Sequence, residues 1–399
     1  MTTLLSNFNF KYTLLVLPII MPAFLYNFAI VKFSCYIGSA VACIWIFYNL
    51  AKYRKICLQT FLLCVLYMLF AISTCGNENT SMLRYLIATV PVLISVLLLD
   101  ISYRKNELFR YLITLLLLLS IFNILNFFSI LLYPSGLYSP LEAGMIGTTI
   151  FSIPTTAHYF LGFTKGHLMT HVFVCSLAVI LGNYYKEDIK IVFYLNLCVS
   201  ILSNIIVLSV SSLFGLLLFI IAENKCFYRL YNMVSMVKIY YALLLVWIGI
   251  VVFRIHEYFA DLFVLLGKDI TLTGRTVLWD VGMDKIMDSP LFGIGIISTD
   301  KAFELFHYGV ASVHSLFLEI FFYGGFVSGV IFLVICHKSS RSVDLLKYNN
   351  YKLSYCFKII ITSLLIILLV NSPQRKEVFY FMVVLPSYIN LYLNKTVTL

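Results

Sequence analysis

Residues 111–132 read YLITLLLLLSIFNILNFFSILL and contain no charged side chain. An α-helix needs about 20 apolar residues to cross the hydrocarbon core of a bilayer. A helix of this length on the surface of a soluble protein would instead show one polar face. The stretch therefore predicts a transmembrane helix.

Similar apolar stretches recur along the whole chain. Of its 399 residues, 61% are hydrophobic and 12% charged, about half the charged fraction of a soluble domain. We expect one all-α membrane domain over residues 1–399, polytopic, with about twelve transmembrane helices. The first is expected to be a retained helix, because no small-residue cleavage pattern follows it. The predicted spans are 12–30, 33–50, 57–74, 83–99, 111–132, 168–184, 190–207, 210–222, 237–253, 312–336, 357–371 and 378–393.

The basic residues indicate how the chain is oriented. Short loops on the cytoplasmic side of a membrane carry an excess of lysine and arginine, and alternate loops of this chain do so. These loops contain Lys52, Arg54, Lys55, Arg104, Lys105, Arg110, Lys186, Lys190, Lys225, Arg229, Lys238, Lys338, Arg341, Lys347 and Lys352. Both termini are therefore predicted to be cytoplasmic. The net charge of +10 is spread over these loops and forms no tract, so no nucleic-acid partner is expected.

Two segments on the opposite, extracytoplasmic side are too long to be simple connections. They are residues 133–167, the first long outer loop, and residues 254–311, the large outer loop. Within the second, capping and proline rules predict a helix that begins at Thr273 or Gly274 and ends at Ser289-Pro290.

Arg275 is the first candidate for chemistry. It shares one face of the predicted helix with Trp279, Gly282 and Ile286. A cation in the first turn of a helix is disfavoured by the helix dipole, which argues against a purely structural role. Its planar fork suits a diphosphate or a carboxylate. The alternative is an amphipathic helix on the membrane surface, with Arg275 reaching lipid head groups.

Three aspartates share another face of this helix, namely Asp280, Asp284 and Asp288. Oxygen ligands of this kind hold divalent cations in some proteins. A four-residue spacing is more typical of a solvated helix face, and no fourth ligand is evident. We therefore predict no metal ion and no cofactor.

His314 and Glu319 lie at the start of the predicted helix 312–336. Ionisable groups at membrane depth are candidates for function, and a histidine titrates near neutral pH, as a general base requires. The alternatives are a histidine at the interface and a glutamate paired with a neighbouring helix. The glycines that follow, Gly324, Gly325 and Gly329, are expected to be small-residue contacts between helices.

Further basic groups are predicted on the outer side, among them Arg84 and Arg254. Each is weak evidence alone. Together they would give an anionic head group several cationic partners.

The order of these motifs resembles the O-antigen ligase and polymerase superfamily. The motifs are T-G-R-x-x-x-W, S-P-L-F-G-x-G, V-H-S-L-F-L-E and then Y-G-G, across residues 271–335. The resemblance implies a GT-C-like membrane fold and glycosyl transfer at the outer face of the bacterial cytoplasmic (inner) membrane. It implies that Arg275 engages a lipid diphosphate and that His314 activates the acceptor hydroxyl. Arg254, Arg84, Trp279 and Glu319 are the expected substrate-binding residues.

The implied substrate is an oligosaccharide on undecaprenyl diphosphate, with membrane lipid, a chain-length regulator and a flippase as partners. A repeat-unit polymerase of O-antigen or capsule is the favoured interpretation. SVSSLFGLLLF at 209–219 lacks the arginine usual in ligases, and the YPSGLY and YFLGFTKGH region resembles the first outer loop of polymerases. The alternatives are an O-antigen ligase and, from a different class, a polysaccharide flippase or transporter.

Overall fold

In a computed structural model, the chain is described over residues 6–78, 80–138, 158–163, 168–185, 187–207, 210–222, 225–259, 274–306, 312–369 and 376–397. Most of these residues are helical. The strands in the described part of the chain form a short antiparallel hairpin, β1 (His158–Tyr159) and β2 (Gly162–Phe163). The fold class is therefore that of a helical membrane protein, as predicted.

The first half of the chain contributes five helices before the hairpin. They are α1 (Phe10–Ile20), α2 (Ala29–Tyr53), α3 (Leu58–Cys75), α4 (Met82–Arg104) and α5 (Leu108–Leu132). After the hairpin come α6 (Leu168–Tyr185), α7 (Glu187–Ile206), α8 (Val210–Ile221), α9 (Lys225–Met233) and α10 (Met236–Trp247). The last five are α11 (Arg275–Asp288), α12 (Thr299–Phe306), α13 (Leu316–Asn349), α14 (Tyr351–Leu369) and α15 (Lys376–Val397).

A helix lies over each of the twelve predicted spans. Within the described residues, seven helices are long and apolar enough to cross a membrane, which establishes a polytopic membrane protein. The count of twelve spans and the GT-C-like architecture stay predictions.

The first predicted span is too long. We expected one helix over 12–30, but α1 ends at Ile20 and a 3₁₀ turn, Ala23–Asn27, precedes α2. The turn follows Pro22, which has no N–H to continue an α-helix. The Tyr26 hydroxyl then donates to the Pro18 carbonyl at 2.8 Å and closes the chain back on α1.

Helix α13 is the centre of the bundle. It packs against α3, α10, α11, α14 and α15. Near the C-terminal end of α13, the Asp344 carboxylate caps the N-terminus of α10. It accepts the backbone N–H groups of Met236 at 2.7 Å and Val237 at 3.2 Å. We predicted this helix over 312–336, and it runs instead from Leu316 to Asn349.

The hairpin is attached to α5 by side chains that α5 buries. The Asn126 amide oxygen accepts the N–H of Leu161 at 2.9 Å, and the Ser129 hydroxyl accepts the N–H of Phe160 at 3.1 Å. The part of residues 133–167 that the structure describes is therefore ordered against the bundle. Residues 139–157 and 164–167 lie outside the described residues.

Candidate active site

Helix α11 forms as the capping rules predict. Gly274 precedes it with a positive φ of 79°, Arg275 is its first residue, and Ser289 follows its last. Trp279, Gly282 and Ile286 are buried on one face. The three aspartates are exposed on the other face, so both predicted faces are confirmed.

Arg254 fixes the first turn of α11. Its guanidinium donates to the Thr276 carbonyl at 2.7 Å and forms an ion pair with Asp280. It also lies 5.8 Å from the centre of the Trp279 ring. We predicted Arg254 and Trp279 as substrate-binding residues. In this structure Arg254 contacts α11. Trp279 belongs to α11, and its side chain is fully buried.

His314 stands in a strained turn just before α13. Its φ is 49°, in the left-handed region that a residue with a Cβ enters at a cost of about 1 kcal/mol or more. Strain of this kind persists only where the surroundings hold it, and it is common at functional sites.

The residues on either side of His314 are what hold it. Val313 is fully buried and lies against Gly282 of α11, where a Cβ on the glycine would come within 2.8 Å of the valine side chain. On the other side, the indole N–H of Trp247 donates to the Ser315 hydroxyl at 3.0 Å. The histidine turn is therefore fixed between α11 and α10.

Arg275 belongs to the same unit through α11. It precedes Gly282 by seven positions, a rise of about 10 Å along the helix axis. Burial lowers the pKa of the Arg275 guanidinium from its ordinary value, and an arginine still keeps its proton in a protein. The structure thus links Arg275 to the histidine turn through about two turns of α11 and the contact between Gly282 and Val313.

The S-P-L-F-G-I-G segment, residues 289–295, packs against a break in α13. Gly325 is non-helical, with φ 65° and ψ −167°, so the helix is interrupted there. The Phe322 carbonyl accepts the N–H of Ile294 at 2.9 Å and the Tyr323 carbonyl accepts the N–H of Gly295 at 3.1 Å. Beyond the break, the N–H of Phe326 donates to the Pro290 carbonyl at 2.8 Å.

These bonds change the role we expected for the glycines. Gly325 is a backbone break and not merely a small contact, since a Cβ there would overlap the Leu291 backbone. Gly293 approaches the break so closely that a Cβ would lie 2.6 Å from the Gly324 nitrogen. Two motifs separate in sequence therefore form one hydrogen-bonded unit, which satisfies backbone groups that lipid could not.

Arg84 contacts the far side of the same segment. It donates to the Ile297 carbonyl at 2.8 Å, and the N–H of Ser81 donates to the Ile296 carbonyl at 3.0 Å. The amide of Asn77 donates to the Ile294 carbonyl at 3.0 Å. The segment is therefore clamped between α13 and the α3–α4 turn.

Glu319 is buried below His314 and joins α13 to α15. Its Oε1 accepts from Lys376 Nζ at 2.8 Å and from the Tyr323 hydroxyl at 2.7 Å. A cavity of about 10 Å³ lies beside the pair, between Tyr67 and Tyr380. That volume suits about one water molecule. The ion pair with Lys376 on α15 supports the prediction that Glu319 pairs with a neighbouring helix.

The predicted residues thus fall into two groups, according to the elements that they contact. Arg275, His314, Arg254 and Trp279 belong to the α11 side. Arg84 and Glu319 belong to the side of the S-P-L-F-G-I-G segment and α15. We had not predicted the roles of Trp247 or Lys376, because each acts through a contact distant in sequence. The glycines in G-I-G and Y-G-G permit the close approach of these two motifs, but no local pattern predicts that they meet.

Comparison with known protein families gives a match to part of the chain. Residues 189–333 match the family model described as O-Antigen ligase. That range includes Arg254, Arg275, Trp279, His314 and Glu319, whereas Arg84 lies outside it. The match confirms, for this part of the chain, the resemblance to the O-antigen ligase and polymerase superfamily. No curated protein matches the chain.

Proposed function

We propose that this protein is a membrane glycosyltransferase that polymerises oligosaccharide repeat units carried on undecaprenyl diphosphate. One observation carries the proposal. Gly282 on the Arg275 helix packs against Val313, the residue before His314, so the two candidate catalytic groups belong to one packed unit at the mouth of α13.

In the proposed reaction, an acceptor sugar hydroxyl attacks the anomeric carbon of the donor glycan. His314 takes the hydroxyl proton, a role that contributes roughly 10²–10⁴-fold in rate. The bond between the anomeric carbon and the diphosphate oxygen breaks, and the lipid diphosphate leaves. Arg275 stabilises the charge that develops on it. This chemistry takes place on the outer face of the bacterial cytoplasmic membrane, with both termini inside.

Arg254 and Trp279 act in this scheme by positioning Arg275. Arg254 donates to the carbonyl of Thr276, the residue after Arg275. The buried Trp279 follows Arg275 by one turn of α11. Arg84 and Glu319 remain proposed substrate-binding residues. In the structure Arg84 donates to the Ile297 carbonyl, and Glu319 accepts from Lys376. No metal takes part in the scheme.

The ligase is the second candidate, because the matching family model is described as O-Antigen ligase. Polymerase is favoured by the absence of arginine in 209–219 and by the resemblance of the YPSGLY and YFLGFTKGH region to the first outer loop of polymerases. Part of that region forms the anchored hairpin. A chain-length regulator and a flippase are the proposed partners of a polymerase.

Sizing the lipid-linked glycans of a deletion strain separates the two candidates. A strain without the polymerase still makes and exports single repeat units, so the long glycan ladder disappears and short lipid-linked units remain. A strain without the ligase accumulates long chains on undecaprenyl diphosphate that reach no final acceptor. Long lipid-diphosphate-linked chains in the deletion strain therefore reject the polymerase. A normal surface ladder rejects both enzymes.

A further inference from the structure

Two lysines, Lys11 and Lys105, lie against Trp45 at the end of the bundle opposite the candidate active site, and these three residues are called the lysine cluster. Lys11 Nζ lies 4.8 Å and Lys105 Nζ 4.5 Å from the centre of the Trp45 ring. Lys11 is the second residue of α1, Trp45 lies about two turns before the end of α2, and Lys105 directly follows α4. Three helices thus bring two ammonium groups to one indole.

The carboxylates nearby do not balance this charge. Glu107 lies 3.7 Å from Lys11 Nζ and already accepts the Tyr12 hydroxyl at 2.6 Å. Asp100 is fully buried and paired with Arg104 at 2.5 Å.

More positive charge lies around the cluster. Lys395 donates to the side chain of Asn106 at 2.9 Å, next to Lys105. Burial, followed by the charge of Lys11, lowers the pKa of the Lys105 ammonium, and Lys52 adds to the effect. An anion placed between these lysines would relieve their mutual repulsion.

The position of the cluster indicates where such an anion comes from. Helix α4 runs 23 residues from Met82, beside the S-P-L-F-G-I-G segment, to Arg104, a length of about 34 Å. That length exceeds a hydrocarbon core of about 30 Å, so Lys105 lies at the level of the opposite head groups. Tryptophan and lysine are the residues that anchor proteins at this level.

We propose that Lys11, Lys105 and Trp45 form a binding site for the phosphate of an anionic phospholipid head group. The two ammonium groups donate to phosphate oxygens, Lys52 adds to the local field, and the indole lies against the glycerol region. Sites of this chemistry between transmembrane helices hold acidic lipids.

The test measures thermal unfolding of the full-length protein in neutral detergent as phosphatidylglycerol is added. Phosphatidylglycerol is expected to raise the Tm, whereas phosphatidylcholine and inorganic phosphate are not. In Lys11→Gln/Lys105→Gln the half-maximal phosphatidylglycerol concentration should rise by about 30-fold. Lys11→Arg/Lys105→Arg keeps both charges and should respond like the natural protein.

The matched control is Lys347→Gln/Lys352→Gln, which removes two exposed lysines at the same end of the bundle. Lys347 lies alone over one ring, 5.6 Å from the centre of Tyr351, and this variant should keep the full response. An unchanged response in Lys11→Gln/Lys105→Gln overturns the proposal. Stabilisation by inorganic phosphate equal to that by phosphatidylglycerol overturns the assignment to a lipid.

Native mass spectrometry provides a readout that does not depend on stability. The natural protein should retain more phosphatidylglycerol than Lys105→Gln after the same detergent wash. Equal retention by the two proteins overturns the proposal, even where the double variant is too unstable to melt cooperatively.

Discussion

At the scale of single residues, the two neighbours of His314 make contacts that fix its left-handed backbone conformation. Val313 is buried against α11, and Ser315 is bonded to Trp247. Replacing the imidazole removes the proposed general base, whereas these two contacts belong to other residues.

We predict that His314→Ala abolishes polymer formation and leaves the protein inserted at normal abundance. Loss of a general base lowers the rate by roughly 10²–10⁴-fold. The measurement is the glycan ladder of a complemented deletion strain, with protein abundance from an immunoblot. His337→Ala is the control, since His337 lies further along α13, where its ring bonds to Tyr241 at 3.1 Å. A normal ladder from His314→Ala would rule out the general-base role.

Arg275 is expected to act through the shape of its side chain as well as its charge. In Arg275→Lys the charge remains but the planar fork that binds two phosphate oxygens is lost. Activity should fall by roughly 10²-fold, as when one donor to a developing oxyanion is removed. The same change at exposed Arg341, Arg341→Lys, should have little effect. Near-normal polymer from Arg275→Lys would instead favour an arginine that only contacts lipid head groups.

At the scale of helices, the break in α13 is where distant motifs meet. The S-P-L-F-G-I-G segment supplies backbone donors and acceptors to the gap at Gly325. From the sequence, we predicted only that Gly324, Gly325 and Gly329 make close contacts between helices. The φ and ψ angles of Gly325 decide which backbone groups of α13 lack a partner within the helix. No local sequence pattern specifies the segment that bonds to those groups.

We predict that Gly325→Ala destabilises the protein by about 2 kcal/mol or more, because a Cβ at positive φ is strained and here also overlaps the Leu291 backbone. Thermal unfolding of the purified protein measures the loss. Gly76→Ala is the matched control, since a Cβ there meets the Ile72 carbonyl at an ordinary 3.5 Å. Equal Tm values for the two variants would show that the break tolerates a side chain.

At the scale of the whole molecule, α13 sets which parts of the chain share a side of the membrane. Beyond the break at Gly325, residues 326–349 span about 36 Å, more than a hydrocarbon core of about 30 Å. His314 and Lys347 must then lie on opposite sides. Charge in the loops predicts that Lys347 is cytoplasmic.

Single cysteines test this orientation after the ten natural cysteines are replaced. Lys301→Cys lies on α12, where the lysine side chain is 48% exposed, and should react with an impermeant thiol reagent in intact spheroplasts. Lys347→Cys should react only after the membrane is opened. The reverse pattern would place both termini outside and the candidate active site in the cytoplasm.

The sequence by itself determined that this is a helical membrane protein and where most of its helices lie, and it predicted which residue types carry the chemistry. These follow from local properties, namely the length of an apolar stretch, the caps of α11 and the spacing of buried positions along it. The tertiary structure alone decided that α1 stops at Ile20, that Arg254 bonds to the first turn of α11 and that Glu319 pairs with Lys376. Each of these depends on which helices become neighbours, and packing between helices is settled by the shapes of whole faces rather than by any one segment.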